Sequence, residues 1–239
     1  MTGSVDKFQD QVLALLADKI DDFYLAGGTA LSRYYFQHRH SEDLDFFTQS
    51  YARSRIKEII DYLSRETGNK INLLAEESGK TGRVKMAIFY MLRGRTGLKL
   101  DFVSDNLKLL QPCRKIDGIF VLSLKDIYLR KIYAMIGSIG TVDAIGRKIS
   151  AGRQTAKDFC DLYFLSHTYQ GLADFAWKYC NSVECEALIN WYRTYDRMNI
   201  KTGLLDLILP KKQKLDYKQI EEHFKKEIDR LLEKEIGKI

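Results

Sequence analysis

Carboxylates one residue apart are the first feature of this chain with chemical consequences. In SEDLDFF, residues 41–47, Asp43 and Asp45 alternate with Leu44 and Phe46. A strand with that pattern turns both acids to one face and both apolar side chains to the other. The two acids are then about 7 Å apart along the backbone. On a face that also meets the protein interior, such like charges repel unless something positive lies between them. A divalent metal ion is the simplest solution. Asp101, in LKLDFV (98–103), is a third acid in an apolar strand pattern, with Leu100 and Phe102 alternating away from it. If the two strands pair, Asp43, Asp45 and Asp101 converge on a patch of oxygen donors able to hold two hard cations such as Mg²⁺.

Upstream, the apolar run Phe23 to Ala26 stops at Gly27-Gly28, the sign of a buried strand ending in a tight turn. Paired glycines let backbone approach a phosphate closely. A helix beginning near Thr29, with Thr29 as its cap, would aim unpaired N–H groups and the positive end of its dipole at the same place. Phosphates at the turn and metals on the neighbouring strand make a nucleoside-triphosphate site. Alone, a double glycine is more often only a turn, and a surface D-x-D only solvated. The order of glycine pair, helix, paired acids and later strand-borne acid is what gives the pattern its specificity.

Positioning these groups requires strands and helices in a definite order. Apolar spacing predicts a helix over 6–20, a strand over 23–26, a helix over 30–37, a strand over 43–48 and a helix over about 53–65. Strand-like segments follow at 70–76, 83–92, 98–104 and 118–122. After Ser123 the chain is helix-period sequence: 122–136, 155–169, 171–180, 183–198 and the amphipathic 216–236. The weakest stretch is GSIGTVDAIGRKISAG (137–152), whose four glycines mark a loop or a broken helix. The expected class is α+β: residues 1–122 a mixed β-sheet flanked by helices, residues 123–239 a helical bundle.

Composition narrows the functional classes. The chain has 239 residues, enough for a substantial core, and no uninterrupted apolar run of membrane-spanning length. The N-terminus MTGSVDKFQD lacks a basic region followed by an apolar one, so a soluble, cytoplasmic protein without membrane association is expected. Four cysteines without a C-x-x-C pair suggest ordinary reduced thiols. The net charge of +6 is concentrated in residues 123–158, which hold seven Lys and Arg against three Asp. Such a cluster suits phosphate or nucleic acid, or is simply a solvated basic face.

With these residues in view, GGTAL (27–31) followed by HRHSEDLDFF (38–47) resembles the signature of the AbiEii-type nucleotidyltransferase toxins. That family includes the mycobacterial MenT enzymes and lies within the DNA polymerase β-like nucleotidyltransferase superfamily. The superfamily pattern of a glycine pair, two alternate acids and a third strand acid is matched by Gly27, Gly28, Asp43, Asp45 and Asp101. LRKIYA (129–134) and RQTAKDFCDL (153–162) resemble the family's C-terminal lysine and its arginine-to-KDxxD element. The likeness covers residues 23–165; beyond that the chain matches only in being helical. It implies a nucleotidyltransferase-type sheet in which Asp43 and Asp45 bind Mg²⁺ and so hold the triphosphate. Asp101 would complete the metal site or deprotonate the attacking hydroxyl. Gly27, Gly28, Thr29, Ser41, Arg153 and Lys157 would contact the nucleotide, with Lys131 on the triphosphate and Asp158 a catalytic or orienting acid. A longer spacing than usual between Lys131 and Arg153 leaves open whether Arg147 or Arg153 faces the phosphates.

The resemblance further implies transfer of a nucleoside monophosphate from an NTP to an acceptor hydroxyl, that of a tRNA 3′ end or another RNA. It also implies a toxin's place in a toxin–antitoxin pair, with a cognate antitoxin as partner. Transfer to a protein hydroxyl is the same-chemistry alternative. A non-catalytic nucleotide- or RNA-binding module is the alternative from another class, against which Asp101 argues. Plainer readings exist for single residues. Lys131 could snorkel, Asp158 and Asp161 could pair with Lys157 or Arg153 on a helix surface, and His38 and His40 could complement a helix end. Tyr34, Tyr35, Phe36, Phe46 and Phe47 read as core.

Overall fold

The computed structural model describes residues 2–78, 85–137, 152–210 and 214–237. The chain forms two compact units, Met1–Tyr35 with His40–Ser123, and Phe36–Arg39 with Leu124–Ile239.

In the first unit, helix α1 (Thr2–Leu16) precedes strand β1 (Tyr24–Leu25). Helix α2 (Gly27–Ala30) follows and widens into a π-helical turn over Leu31–Tyr35. Then come β2 (Asp43–Thr48), α3 (Arg53–Thr67), β3 (Ile71–Ser78), β4 (Lys85–Arg93), β5 (Thr96–Ser104), β6 (Arg114–Ile116) and β7 (Ile119–Val121). The strands make one sheet in the order β3-β4-β5-β2-β1-β7-β6. It is mixed: β2 pairs in parallel with β5 and antiparallel with β1, while β1 and β7 are parallel. Along β2 burial alternates, with Leu44, Phe46 and Thr48 buried. Phe46 stacks on Phe102 with ring centroids 5.5 Å apart, and Phe23 meets Phe102 edge-on. Helix α1 packs on β5 and α3, adding Phe8, Val12 and Leu16 to the core.

The second unit holds α4 (Leu124–Ile136), α5 (Ala156–Phe164) with a π-helical extension over Leu165–Tyr169, α6 (Leu172–Tyr179), α7 (Ser182–Thr194), α8 (Arg197–Leu205) and α9 (Tyr217–Ile236). Helix α9 packs on α6 and α7, α4 on α7, and α5 on α8. Their centre is aromatic. Phe159 lies against Trp191, Tyr195 and Phe224, and Tyr128 stacks on Phe175 at 4.0 Å.

The expected α+β class, a mixed sheet flanked by helices and then a helical unit, is the architecture found. The strand expected at 43–48 has those bounds. Several details differ for physical reasons. The first helix stops at Leu16, because Asp18 adopts φ 57° and donates its N–H to the Gly118 carbonyl. Strand β6 was not expected; Asp117 (φ 50°) and Gly118 (φ 77°) form the two-residue turn that folds it onto β7. The single helix expected over 183–198 is two. Tyr195 leaves the helix in extended conformation to bury its ring, and Asp196 then caps α8 by accepting from Asn199 N at 2.9 Å. The glycine-rich stretch 137–152, apart from its two end glycines, and the start of the strand expected at 83 lie outside the described residues. None of the four cysteines, all among the described residues, forms a disulfide, and Cys160 and Cys185 are buried. Among the described residues no helix is long and apolar enough to cross a membrane.

Leu100 is fully buried on β5 while Leu73 on the sheet edge is 53% exposed. Leu100→Ala should therefore cost about 2–5 kcal/mol in urea unfolding, and Leu73→Ala no more than about 0.5 kcal/mol.

Candidate active site

The parallel register of β2 and β5 sets Asp43 opposite Lys99 and Asp45 opposite Asp101. Partners in register share a face, as do alternate residues of one strand. Four charged side chains thus stand together on one side of two neighbouring strands, with Leu44, Phe46, Leu100 and Phe102 on the other. Lys99 Nζ lies 2.9 Å from Asp101 Oδ2 and 3.3 Å from Asp43 Oδ2. Burial pushes the Asp101 carboxyl up, and the hydrogen bond and charge of Lys99 offset this only in part, with Asp43 adding to the rise. Asp101 Oδ1 is buried and has no hydrogen-bond partner among the described residues. An ionised oxygen in that position is under-solvated, so it suits a hard cation.

Gly27 explains how Asp45 is accommodated. It opens α2 at φ +66°, and a Cβ there would collide with the Asp45 carboxylate, its Cγ being 3.0 Å away. Ala26 N donates to the Asp45 carbonyl at 2.9 Å, which fixes the turn against β2. Gly28 is buried within α2. Thr29 does not cap the helix as expected. The helix starts two residues earlier, with Ala26 at the cap position and no side-chain cap bond. Instead the buried Thr29 hydroxyl donates to the Asp43 carbonyl and shares a 2.8 Å hydrogen bond with Ser41 Oγ. Gln9 Nε2 donates to the Ser41 carbonyl at 2.9 Å. Thr29, Ser41 and Gln9 thereby brace the approach to Asp43.

The remaining expected site residues belong to the helical unit. Lys131 on α4 is not snorkelling: its side chain is 8% exposed, and Nζ pairs with Asp158 Oδ1 at 2.7 Å and Asp161 Oδ2 at 2.6 Å. Asp161, fully buried on α5, also accepts two parallel hydrogen bonds from Arg39, from Nε at 2.7 Å and from an Nη at 2.8 Å. His38 Nε2 lies 2.7 Å from Asp161 Oδ1. His38 therefore pairs with a side chain rather than a helix end, and Asp158 and Asp161 are interior, not a surface pair. Thr155 caps α5 and donates to Asp158 Oδ2 at 2.9 Å. Arg153, its side chain 64% exposed, approaches the same oxygen at 3.5 Å. Burial alone would raise both carboxyls. The Lys131 and Arg39 charges, with hydrogen bonds from His38 and Arg39, hold Asp161 well below the usual range, while Lys131 and Arg153 lower Asp158. Lys157 is exposed on α5, and Arg147 lies outside the described residues.

The expected residues thus fall into two sets, Gly27, Gly28, Thr29, Ser41, Asp43, Asp45 and Asp101 in the first unit and Lys131, Arg153, Lys157 and Asp158 in the second. The three strand acids share a face, but they do not close into one cluster. Among the described residues no three Asp, Glu, His or Cys side chains are gathered closely enough to hold an ion. The reason is local: Lys99 stands between Asp43 and Asp101, and Asp45 is turned onto Gly27. Two features escaped the sequence reading. Lys99, two residues before Asp101 in a strand, was detectable from alternation. The pairing of His38 and Arg39 with Asp161 spans more than a hundred residues and left no local signal.

Removing the Asp161 charge leaves Arg39 and Lys131 buried and under-compensated, so Asp161→Asn should destabilise the fold by about 3–5 kcal/mol. Because the folded-state carboxyl is lowered, that stabilisation is present above about pH 4 and fades as pH falls through the folded-state value. Urea unfolding of both proteins at neutral pH and in acid should show the gap narrowing below pH 4.

Comparison with known proteins bears on this arrangement. The family described as "Nucleotidyl transferase AbiEii toxin, Type IV TA system" matches residues 12–237. Over 150 residues the chain is 34% identical to an uncharacterized protein of Aquifex aeolicus, covering 61% of this chain and 58% of that protein. The match therefore spans little more than half the length of that relative. Among solved structures, JHP933 from Helicobacter pylori superposes with a TM-score of 0.54 at 20% identity, over 99% of this chain and 95% of that one. MenT4, a nucleotidyltransferase toxin of Mycobacterium tuberculosis, superposes with a TM-score of 0.55 at 15% identity, over 97% and 84%. At these identities the likeness is one of fold. Matched over nearly its whole length, the chain belongs to the AbiEii nucleotidyl transferase toxin family.

Proposed function

We propose that this protein transfers a nucleoside monophosphate from an NTP to an acceptor hydroxyl, that of the 3′ end of tRNA, as the cytoplasmic toxin of a toxin–antitoxin pair with a cognate antitoxin as partner. The observation that carries the reading is the pairing of Asp45 with Asp101, beside Asp43, on one face of β2 and β5. Family membership supports the chemistry, and the basic segment 123–158 suits a polyanionic acceptor.

In this proposal Asp43, Asp45 and Asp101 would hold two Mg²⁺ ions once Lys99 swings out from between Asp43 and Asp101. Their oxygens are hard donors, and Asp101 Oδ1 has no partner among the described residues to give up. Bound divalent ions would neutralise the triphosphate and the developing charge on attacking and leaving oxygens. The chain's own groups do the positioning. Gly27 keeps the backbone beside Asp45 free of a side chain, Gly28 follows it in α2, and Thr29 and Ser41 fix the backbone carrying Asp43. Residues 1–122 are proposed as the catalytic part, and 123–239 as a helical part contributing nucleotide and acceptor contacts. There Lys131 is already neutralised by two carboxylates. Arg153, exposed and 3.5 Å from Asp158 Oδ2, and the exposed Lys157 are assigned to the phosphates, with Lys131 and Asp158 orienting Arg153.

Purified protein incubated with Mg²⁺, each labelled NTP in turn, and total RNA or total protein tests this reading. Label on tRNA-sized RNA supports it. Label on protein would move the acceptor to a protein hydroxyl, and RNA binding without transfer would favour a binding module. Asp45→Asn and Asp101→Asn should each lower transfer at least about 100-fold, equivalent to about 2.7 kcal/mol of barrier. Transfer retained by either variant would contradict the roles given to these acids.

A further inference from the structure

Lys99 is the charged residue of the strand face that the proposed chemistry leaves without a task. It lies on β5 opposite Asp43 and two residues before Asp101, with its ammonium within 3.3 Å of both carboxylates. Asp43, Asp45 and Asp101 carry three negative charges and Lys99 one positive. A divalent ion entering this face must therefore displace the ammonium from the oxygens it holds.

We propose that Lys99 is a built-in counter-ion that holds Asp43 and Asp101 in place and competes with divalent metal for their oxygens. The proposal rests on the metal-binding reading of the three acids. Geometry supports it beyond proximity. The ammonium contacts one oxygen of Asp43 and one of Asp101, while the second oxygen of Asp101 stays buried and unpaired among the described residues. Entry of a cation at that oxygen places it beside Lys99, and like charges a few ångströms apart in a half-buried site repel strongly. Lys99 is partly exposed, its side chain 33% accessible, and its flexible stem lets the ammonium swing outward. It is thus a positioning residue that tunes metal affinity.

Mn²⁺ binding, read from the electron paramagnetic resonance of the free ion, tests this without relying on activity. Wild type, Lys99→Met, Lys99→Gln and Asp45→Asn are titrated alone and with a non-hydrolysable NTP analogue. Both Lys99 variants should bind Mn²⁺ about tenfold more tightly than wild type, alone and with the analogue. In thermal melts Mn²⁺ should raise the Tm of each Lys99 variant more than that of wild type, a readout that serves even if removing the lysine weakens the fold. Equal or weaker Mn²⁺ affinity in both variants would overturn the role of Lys99. Unchanged affinity in Asp45→Asn would instead remove the metal reading beneath it.

Discussion

Pairing β2 with β5 in parallel, at the register that sets Asp45 beside Asp101, is the constraint on which the rest of the first unit depends. Apolar side chains fix it. Leu44 and Phe46 on one strand and Leu100 and Phe102 on the other are all fully buried. A slip of one residue in either strand would carry acids into the core and aromatic rings out of it. Four charges on one face are therefore the consequence of burying four apolar groups on the other. Gly27 completes the constraint, because only a residue without Cβ at φ +66° leaves room for the Asp45 carboxylate.

Buried carboxylates meet opposite fates in the two units, and the contrast has chemical meaning. In the helical unit Arg39 and Lys131 match Asp158 and Asp161 charge for charge, with hydrogen bonds to nearly every oxygen. Both carboxyls are lowered in spite of their burial. On the strand face Asp43 and Asp101 share one lysine, and Asp101 is raised. The first arrangement is electrostatically complete and holds helices α4 and α5 to the segment Phe36–Arg39. The second leaves Asp101 Oδ1 buried without a partner among the described residues. A perturbed acid with an unpaired oxygen is the condition under which a site gains by taking up a cation.

How much of this the amino-acid order disclosed depends on the range of the interaction. Alternation of Asp with Leu and Phe gave the bounds of β2 and the shared face of its acids, since side-chain direction in a strand is local. The glycine pair marked the turn, though its observed task is room for Asp45, with the backbone of α2 beginning two residues earlier than Thr29. The break between α7 and α8 was hidden because Tyr195 leaves the helix for an aromatic cluster assembled from α5, α7 and α9. The partners of Asp161 were hidden for the same reason. Nothing near His38 or Arg39 announces a carboxylate over a hundred residues away, whereas the family resemblance had already drawn attention to Lys131, Arg153 and Asp158. Strand β6 and Lys99 are different: the Asp117-Gly118 turn and the two-residue offset from Asp101 were both readable.

The most direct measurement is crystallographic. Crystals grown with Mn²⁺ and a non-hydrolysable NTP analogue would be measured at a wavelength where manganese scatters anomalously. The account predicts anomalous peaks bounded by Asp43, Asp45 and Asp101, with the Lys99 ammonium withdrawn from between the carboxylates and the analogue's phosphates on the same ions. Manganese and nucleotide bound elsewhere, with Lys99 still bridging Asp43 and Asp101, would contradict it.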